Sequence, residues 1–259
     1  MKETGMAATD TNTWIACPQP NPKADLRLFC FPYAGGGAKI FQKWADSLPR
    51  NVEVRAVRLP GRDSRLREPA LTSMPELVEL ISRAMRPYVD QPFAFFGHSM
   101  GAKLCFEVAL ELRKQLGVEP AHLIASGCRA PHLRSTDTPM HQLTEPEFIE
   151  RLRSLNGTPR EILEHADMMG LLLPALRADF QVIETYLPDP LAPPLACPLT
   201  VYGGLHDPEV QRADLEAWGI YTTANFTVRM LPGDHFFLHL SEYLLLRTLS
   251  RDLQQMTPP

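Results

Sequence analysis

Phe93-Ala94-Phe95-Phe96-Gly97-His98-Ser99-Met100-Gly101-Ala102-Lys103-Leu104 is the stretch that sets the fold class of this 259-residue chain. A short apolar run of strand-forming residues reaches a Gly-x-Ser-x-Gly turn. A segment of helical apolar spacing follows, with Met100, Leu104, Cys105, Val108, Ala109, Leu112 and Leu116 in one stripe and Gly117 as its stop. Strand, sharp turn and helix in that order predict a nucleophile elbow with Ser99 at the apex. A backbone folded this tightly leaves no room for a Cβ at Gly97 or Gly101, so the two glycines permit the strained, exposed serine. The competing reading, a tight turn holding a structural serine, is weighed by the segments on either side.

Upstream, Leu26-Arg27-Leu28-Phe29-Cys30-Phe31 reads as a strand that enters the loop Pro32-Tyr33-Ala34-Gly35-Gly36-Gly37-Ala38. A helix with Ile40, Phe41, Trp44 and Leu48 on one face is expected next. The loop has neither G-x-G-x-x-G spacing nor a Gly-Lys-Ser/Thr ending, which argues against a phosphate cradle. It is expected instead to bring the backbone N–H of Ala34 close to a substrate, opposite the N–H of Met100. Residues 52–57 alternate as a strand and end at Leu59-Pro60-Gly61-Arg62. Ser73 and Pro75 then open a helix with Leu77, Leu80, Ile81, Ala84 and Tyr88 on its buried face.

Downstream of the elbow, residues 121–127 form another strand, and the alternation predicts parallel βαβ units. From about 129 to 190 the rhythm breaks into helices with no strand, one of them capped by Thr144-Glu145-Pro146-Glu147. Such an insertion is expected to be a lid, returned to the sheet by a proline-rich run. Strands at 199–204 and 226–231 follow, with a helix carrying Leu215 and Trp218 between them and a closing helix from about 241 to 255.

Asp207 lies just past the first of those strands and His235 just past the second. In an open parallel sheet the strand ends share one edge, so Ser99, Asp207 and His235 can meet there. A serine hydroxyl is too weak an acid to ionise near neutrality. His235 is therefore the candidate base, Asp207 the group that fixes its tautomer, and the Ala34 and Met100 amides the oxyanion donors. The order nucleophile, acid, base is that of the α/β-hydrolases. Asp234 and Glu209 are alternative acids; His98, His206 and His239 are expected to pack rather than to act as the base.

Composition fits an ordinary globular chain, 44% hydrophobic and 22% charged with a net charge of −4, which gives no general affinity for nucleic acid or anionic lipid. No apolar run approaches the ~20 residues of a membrane span, and the N-terminus lacks a secretion-signal layout, so a cytoplasmic protein is expected. The five cysteines are widely spaced with no C-x-x-C pair, and neither disulfides nor a metal is expected. Residues 1–24, rich in Thr, Asn and Pro, are expected to be a flexible tail, and residues 25–259 one domain with a mostly parallel central sheet flanked by helices.

The chain resembles the type II thioesterases of nonribosomal peptide and polyketide synthases, a family related to the medium-chain hydrolase of fatty acid synthesis. The likeness covers roughly residues 25–250 and rests on distinctive strings. These are Phe31-Pro32-Tyr33-Ala34-Gly35-Gly36, Leu59-Pro60-Gly61-Arg62, Gly97-His98-Ser99-Met100-Gly101-Ala102, Leu176-Arg177-Ala178-Asp179-Phe180, residues 203–208, and Pro232-Gly233-Asp234-His235-Phe236-Phe237. Tyr33 stands where many relatives have His, and Asp234 where a small residue is common. The resemblance implies removal of aberrant acyl groups from the phosphopantetheine arm of acyl or peptidyl carrier domains in antibiotic-type biosynthesis, by a monomer with no cofactor of its own. The residues alone say serine hydrolase. A carboxylesterase or peptidase on free small molecules, and a medium-chain acyl-carrier thioesterase, are the alternatives. Lys39, Lys43, Arg62, Arg65 and Arg67 are the expected docking surface for an acidic carrier.

Overall fold

The computed structural model describes residues 13–134 and 138–254. Its sheet has seven strands: β1 (Ile15–Ala16), β2 (Leu26–Phe31), β3 (Val52–Val57), β4 (Phe93–His98), β5 (His122–Ser126), β6 (Leu199–Gly204) and β7 (Phe226–Leu231), in the order β1-β3-β2-β4-β5-β6-β7. Every neighbouring pair is parallel except β1 with β3. The helices are α1 (Met74–Met85), α2 (Met100–Leu116), α3 (Glu145–Leu155), α4 (Arg160–Leu163), α5 (Ala166–Glu184), α6 (Arg212–Glu216), α7 (Phe237–Leu240) and α8 (Glu242–Gln254). Among the described residues no helix is long and apolar enough to cross a membrane.

Period-two alternation divides the core between the two faces of the sheet. Phe29 and Phe31 of β2 and Phe93 and Phe95 of β4 pack with α1 and α2. Leu28 and Cys30, with Ala94 and Phe96, face the opposite way, onto Phe41, Trp44 and the apolar side of α8. Both faces are covered, so the central strands read as nearly continuous apolar runs. Of the cysteines, Cys30, Cys105, Cys128 and Cys197 are buried.

Several expectations change; among them, Tyr88 and Trp218 fall in 3₁₀ turns, Arg86–Tyr88 and Ala217–Tyr221, beyond the ends of α1 and α6. Within the supposed tail, β1 pairs Ile15 with Val57 and Ala16 with Ala56, Ile15 is buried, and Trp14 O accepts from Arg58 N at 2.7 Å. This part of residues 1–24 is an edge strand, too short for an alternation to register in sequence; residues 1–12 lie outside the described residues. The helix expected after the glycine loop is two 3₁₀ turns, Ala38–Phe41 and Trp44–Asp46, because i,i+3 apolar spacing serves either helix type. Leu116, assigned to the buried stripe of α2, is 40% exposed at the helix end.

The elements that matter most for the site come where the strand order reverses. The chain leaves β2 toward β3 on one side and returns to β4 on the other, so the carboxyl ends of β2 and β4 open a crevice at a switch point. The glycine loop follows β2 and the elbow follows β4. Between β5 and β6, helices α3 to α5 gather round a core of their own, with Met140, Phe148, Leu152, Leu163, Met169 and Leu176 buried.

Candidate active site

Ser99 stands at φ 52° and ψ −114°, a left-handed backbone for a residue with a side chain, a strain that must be imposed by its surroundings. A Cβ on Gly97 would sit 2.1 Å from Gly101 O, and one on Gly101 would sit 2.2 Å from Phe31 O. The elbow is thus pressed against itself and against the end of β2. Ser99 N donates to Ser126 O at 2.7 Å, tying the turn to β5. Met100 begins α2, so its N–H belongs to the first turn, where amides have no intrahelical acceptor.

Asp207 and His235 meet across the ends of β6 and β7, with Asp207 Oδ2 2.8 Å from His235 Nδ1. The other carboxylate oxygen, Oδ1, accepts from Glu209 N at 2.8 Å and Val210 N at 3.1 Å. The Asp207 side chain is fully buried, and 11% of the His235 side chain is exposed. A carboxylate fixed by two amides on one oxygen offers its second oxygen to the imidazole in one orientation. The rival acids are engaged elsewhere: Asp234 Oδ1 accepts from Phe236 N at 2.9 Å, and Glu209 lies 3.3 Å from Arg151. His98 is buried, its Nδ1 2.9 Å from Ser126 Oγ. Desolvation, helped by the nearby His235 and His239, holds its pKa well below the usual histidine value. His239 Nε2 lies 2.9 Å from the Tyr33 hydroxyl, whose pKa burial pushes up to about 12. His206 is exposed.

A cavity of about 360 Å³ opens over this edge, with Ser99, His235, Tyr33 and Ala34 on its border. Leu152, Leu155, Leu176, Phe180 and Ile183 of the insertion form its apolar wall. A second cavity of about 240 Å³ shares Tyr33, Ala34 and Leu176 with the first. The apolar excess of α5 is split: Phe180 faces the first cavity and Leu172 the second, Met169 is buried in the insertion's own core, and Met168 and Leu171 are 41% and 61% exposed.

Sequence reasoning assigned no site role to Asp179 on α5, and it put Arg62 on the surface. Both are buried and joined by two parallel bonds, Nη1 to Oδ2 at 2.5 Å and Nη2 to Oδ1 at 2.7 Å. Asp179 Oδ2 also accepts from Gly35 N at 2.7 Å, and Arg62 Nη1 donates to Gly36 O at 3.2 Å. One ion pair thus ties the glycine loop to the insertion. A carboxylate on an apolar helix face, flanked by Leu176 and Phe180, was the available signal, because a buried charge demands a partner. The docking role given to Arg62 and Arg65 is corrected by the same burial. Arg65 is 9% exposed, stacked 4.1 Å over the Trp14 ring and paired with Glu68. Lys39, Lys43 and Arg67 remain exposed. Among the described residues, no group of three or more His, Cys, Asp or Glu is arranged to hold a metal ion.

A mostly parallel sheet, a serine on a strained strand-to-helix turn and an Asp–His pair at the neighbouring strand ends define an α/β-hydrolase. Residues 26–252 match the family model described as "Thioesterase domain". The chain is 43% identical to the gramicidin S biosynthesis protein GrsT of Aneurinibacillus migulanus over 97% of its own length and 98% of that protein. It is 37% identical to the thioesterase PikA5 of Streptomyces venezuelae, over 96% and 92% of the two chains. The solved type II thioesterase BorB from the borrelidin biosynthetic cluster superposes with a TM-score of 0.85 at 34% identity, covering 94% of this chain and 98% of that one. The chain belongs to the thioesterase family, among the type II thioesterases of nonribosomal peptide and polyketide synthase clusters.

Proposed function

We propose that this thioesterase edits a synthase by hydrolysing aberrant acyl groups from the phosphopantetheine arm of its acyl or peptidyl carrier domains, with Ser99 as nucleophile. The observation that carries the catalytic assignment is the 2.8 Å Asp207–His235 bond beside a cavity that His235 and the strained Ser99 both border. Ser99 Oγ attacks the thioester carbonyl while His235 Nε2 takes its proton. The amides of Ala34 and Met100 receive the oxyanion, each such donor being worth ~3 kcal/mol in the transition state. Collapse breaks the C–S bond, His235 returns the proton to the departing pantetheine sulfur, and a water activated by the same imidazole releases the acid from Ser99. Asp207 holds Nδ1–H throughout and stabilises the imidazolium. On this reading the enzyme is a cytoplasmic monomer that needs no cofactor of its own, and an acidic carrier meets it through Lys39, Lys43 and Arg67.

The test compares an acyl-loaded carrier domain, the matched acyl-pantetheine and the matched free oxygen ester. The expected order of kcat/KM is carrier, then pantetheine thioester, then ester, and Ser99→Ala should remove turnover while circular dichroism is unchanged. Preference for the free ester would replace the thioesterase assignment with a small-molecule esterase. Retained turnover in Ser99→Ala would remove the nucleophile assignment.

A further inference from the structure

Phe236 follows His235 in sequence, and the segments that carry the acting groups converge on its ring. The ring centroid lies 5.2 Å from that of His235, edge to face, 5.1 Å from Tyr33 and 6.2 Å from His98. Tyr33 precedes the Ala34 amide and His98 precedes Ser99, so the glycine loop, the elbow and the base segment each give this cluster a ring next to an acting group. His98 in turn lies 5.3 Å from His235. Asp207 holds one edge of the imidazole through Nδ1, but the terminal torsion of a histidine is soft and one hydrogen bond leaves the ring free to swing. Phe236 and His98 are the rings that limit that swing.

The insertion presses on the same ring. Gly157 lies between α3 and α4, just after Asn156 has ended α3 in left-handed conformation. A Cβ on Gly157 would sit 2.3 Å from Phe236 Cζ and 2.7 Å from Cε2, so the ring rests directly on the backbone of the insertion. Gly157 is not among the glycines of positive φ; the close approach, rather than the backbone conformation, calls for glycine here. Phe236 has little room to yield. Tyr33 and His98 pack against the ring, and its backbone is tied on both sides, Phe236 N donating to Asp234 Oδ1 at 2.9 Å and Phe236 O accepting from His239 N at 2.9 Å. A push on the ring is therefore passed to His235, its neighbour in the chain.

We propose that Phe236 is the positioning residue of the base, and that it keeps His235 aimed at Ser99 only while Gly157 of the insertion is seated on it. The inference rests on the assignment of Ser99 and His235 as nucleophile and base. The insertion then does more than wall the acyl group. Lifting its α3–α4 turn frees the ring and leaves the imidazole poorly aimed, which confines thioester cleavage to the closed site. Misplacing a reacting group by ~1 Å costs up to about 100-fold in rate, so a contact this close to His235 is enough to decide whether the site works.

The experiment measures kcat and KM for butyryl-pantetheine, with urea unfolding as the control for the fold, in Gly157→Ala, Phe236→Leu, Phe236→Ala and the double variant Gly157→Ala/Phe236→Leu. Gly157→Ala pushes the ring and Phe236→Leu leaves it short, so each should lower kcat by about tenfold or more while KM changes by less than about threefold. The double variant exchanges bulk across the contact and should return kcat to within about threefold of the wild type, a rescue that two independent packing losses would not give. Single-turnover traces should show acylation and deacylation slowed together in the single variants, because one imidazole serves both steps. Wild-type kcat in a folded Gly157→Ala, or a double variant no better than the worse single one, would overturn the proposal. If Gly157→Ala does not fold, Phe236→Ala decides: its kcat should fall below that of Phe236→Leu, and wild-type kcat there overturns the proposal equally. If the wild-type enzyme leaves butyryl-pantetheine intact, or Ser99→Ala cleaves it, the assignment of the site has failed; if the wild type cleaves it, Ser99→Ala does not and Gly157→Ala matches the wild type, only the role of Phe236 has failed.

Discussion

At the residue scale, the site separates a side chain that reacts from those that hold it ready. Asp207 gives Oδ1 to two amides and Oδ2 to His235, so its geometry outlasts the loss of its charge while its acceptor role does not. Asp207→Asn should keep the fold and lower kcat by ~10⁴, because an amide NH₂ facing Nδ1 favours the tautomer that cannot take the serine proton. A fall of less than tenfold, measured by steady-state hydrolysis of an acyl-pantetheine, would move the acid to another residue. Ser99→Ala and His235→Ala should each cost several orders of magnitude in kcat, and the double variant little more than either, since the two act as one unit. Losses that multiplied in the double variant would show two independent contributions. Ser99, Asp207 and His235 were all legible as candidates because each follows a strand that announces itself as a short run of strand-forming residues.

At the scale of elements, what sequence concealed is what joins one segment to another. The βαβ rhythm fixed the six long strands, the Thr144–Glu147 capping box marked the start of α3, and Gly117 in left-handed conformation ended α2 where expected. Two-residue β1 was hidden because period two cannot be read from two residues, and Arg62 was misplaced because its partner Asp179 comes from another element. Their ion pair fixes the Ala34–Gly35 peptide through the 2.7 Å bond from Gly35 N to Asp179. It therefore positions the adjoining Ala34 amide proposed for the oxyanion. Asp179→Ala should destabilise by roughly 3–5 kcal/mol, because it strands a buried guanidinium. The double variant Arg62→Met/Asp179→Leu should recover most of that stability in urea unfolding. Its kcat should nevertheless stay at least about tenfold low with KM little changed, as expected for a misaligned oxyanion donor. If kcat recovers together with stability, the pair is scaffold only.

At the scale of the whole molecule, the sheet carries two histidines where protonation is resisted, and this gives the fold an acid limit separate from catalysis. His98 ends β4 and His122 begins β5; both are buried. Burial and the nearby His235 and His239 hold the His98 pKa well below the usual histidine value, an effect that a hydrogen bond to the His235 backbone only partly offsets. His122 Nε2 lies 2.8 Å from Thr200 Oγ1. Burial lowers the His122 pKa to about 4, partly offset by the charge of Asp252 and reinforced by that of Arg229. Both shifts are downward, so above the ordinary histidine pKa of about 6.5 the rings are neutral in both states and contribute no pH dependence. As pH falls below that value the unfolded chain takes up protons that the folded chain refuses, and stability is lost until the folded pKa is passed. For His122 alone the loss between pH 7.5 and 5.0 is about 2 kcal/mol. His122→Gln keeps a polar group opposite Thr200 and removes the titration, so its unfolding free energy should fall less than that of the wild type over this interval, by about that amount. Urea unfolding at the two pH values measures the difference, and parallel losses in both proteins would place the acid sensitivity of the fold outside β5.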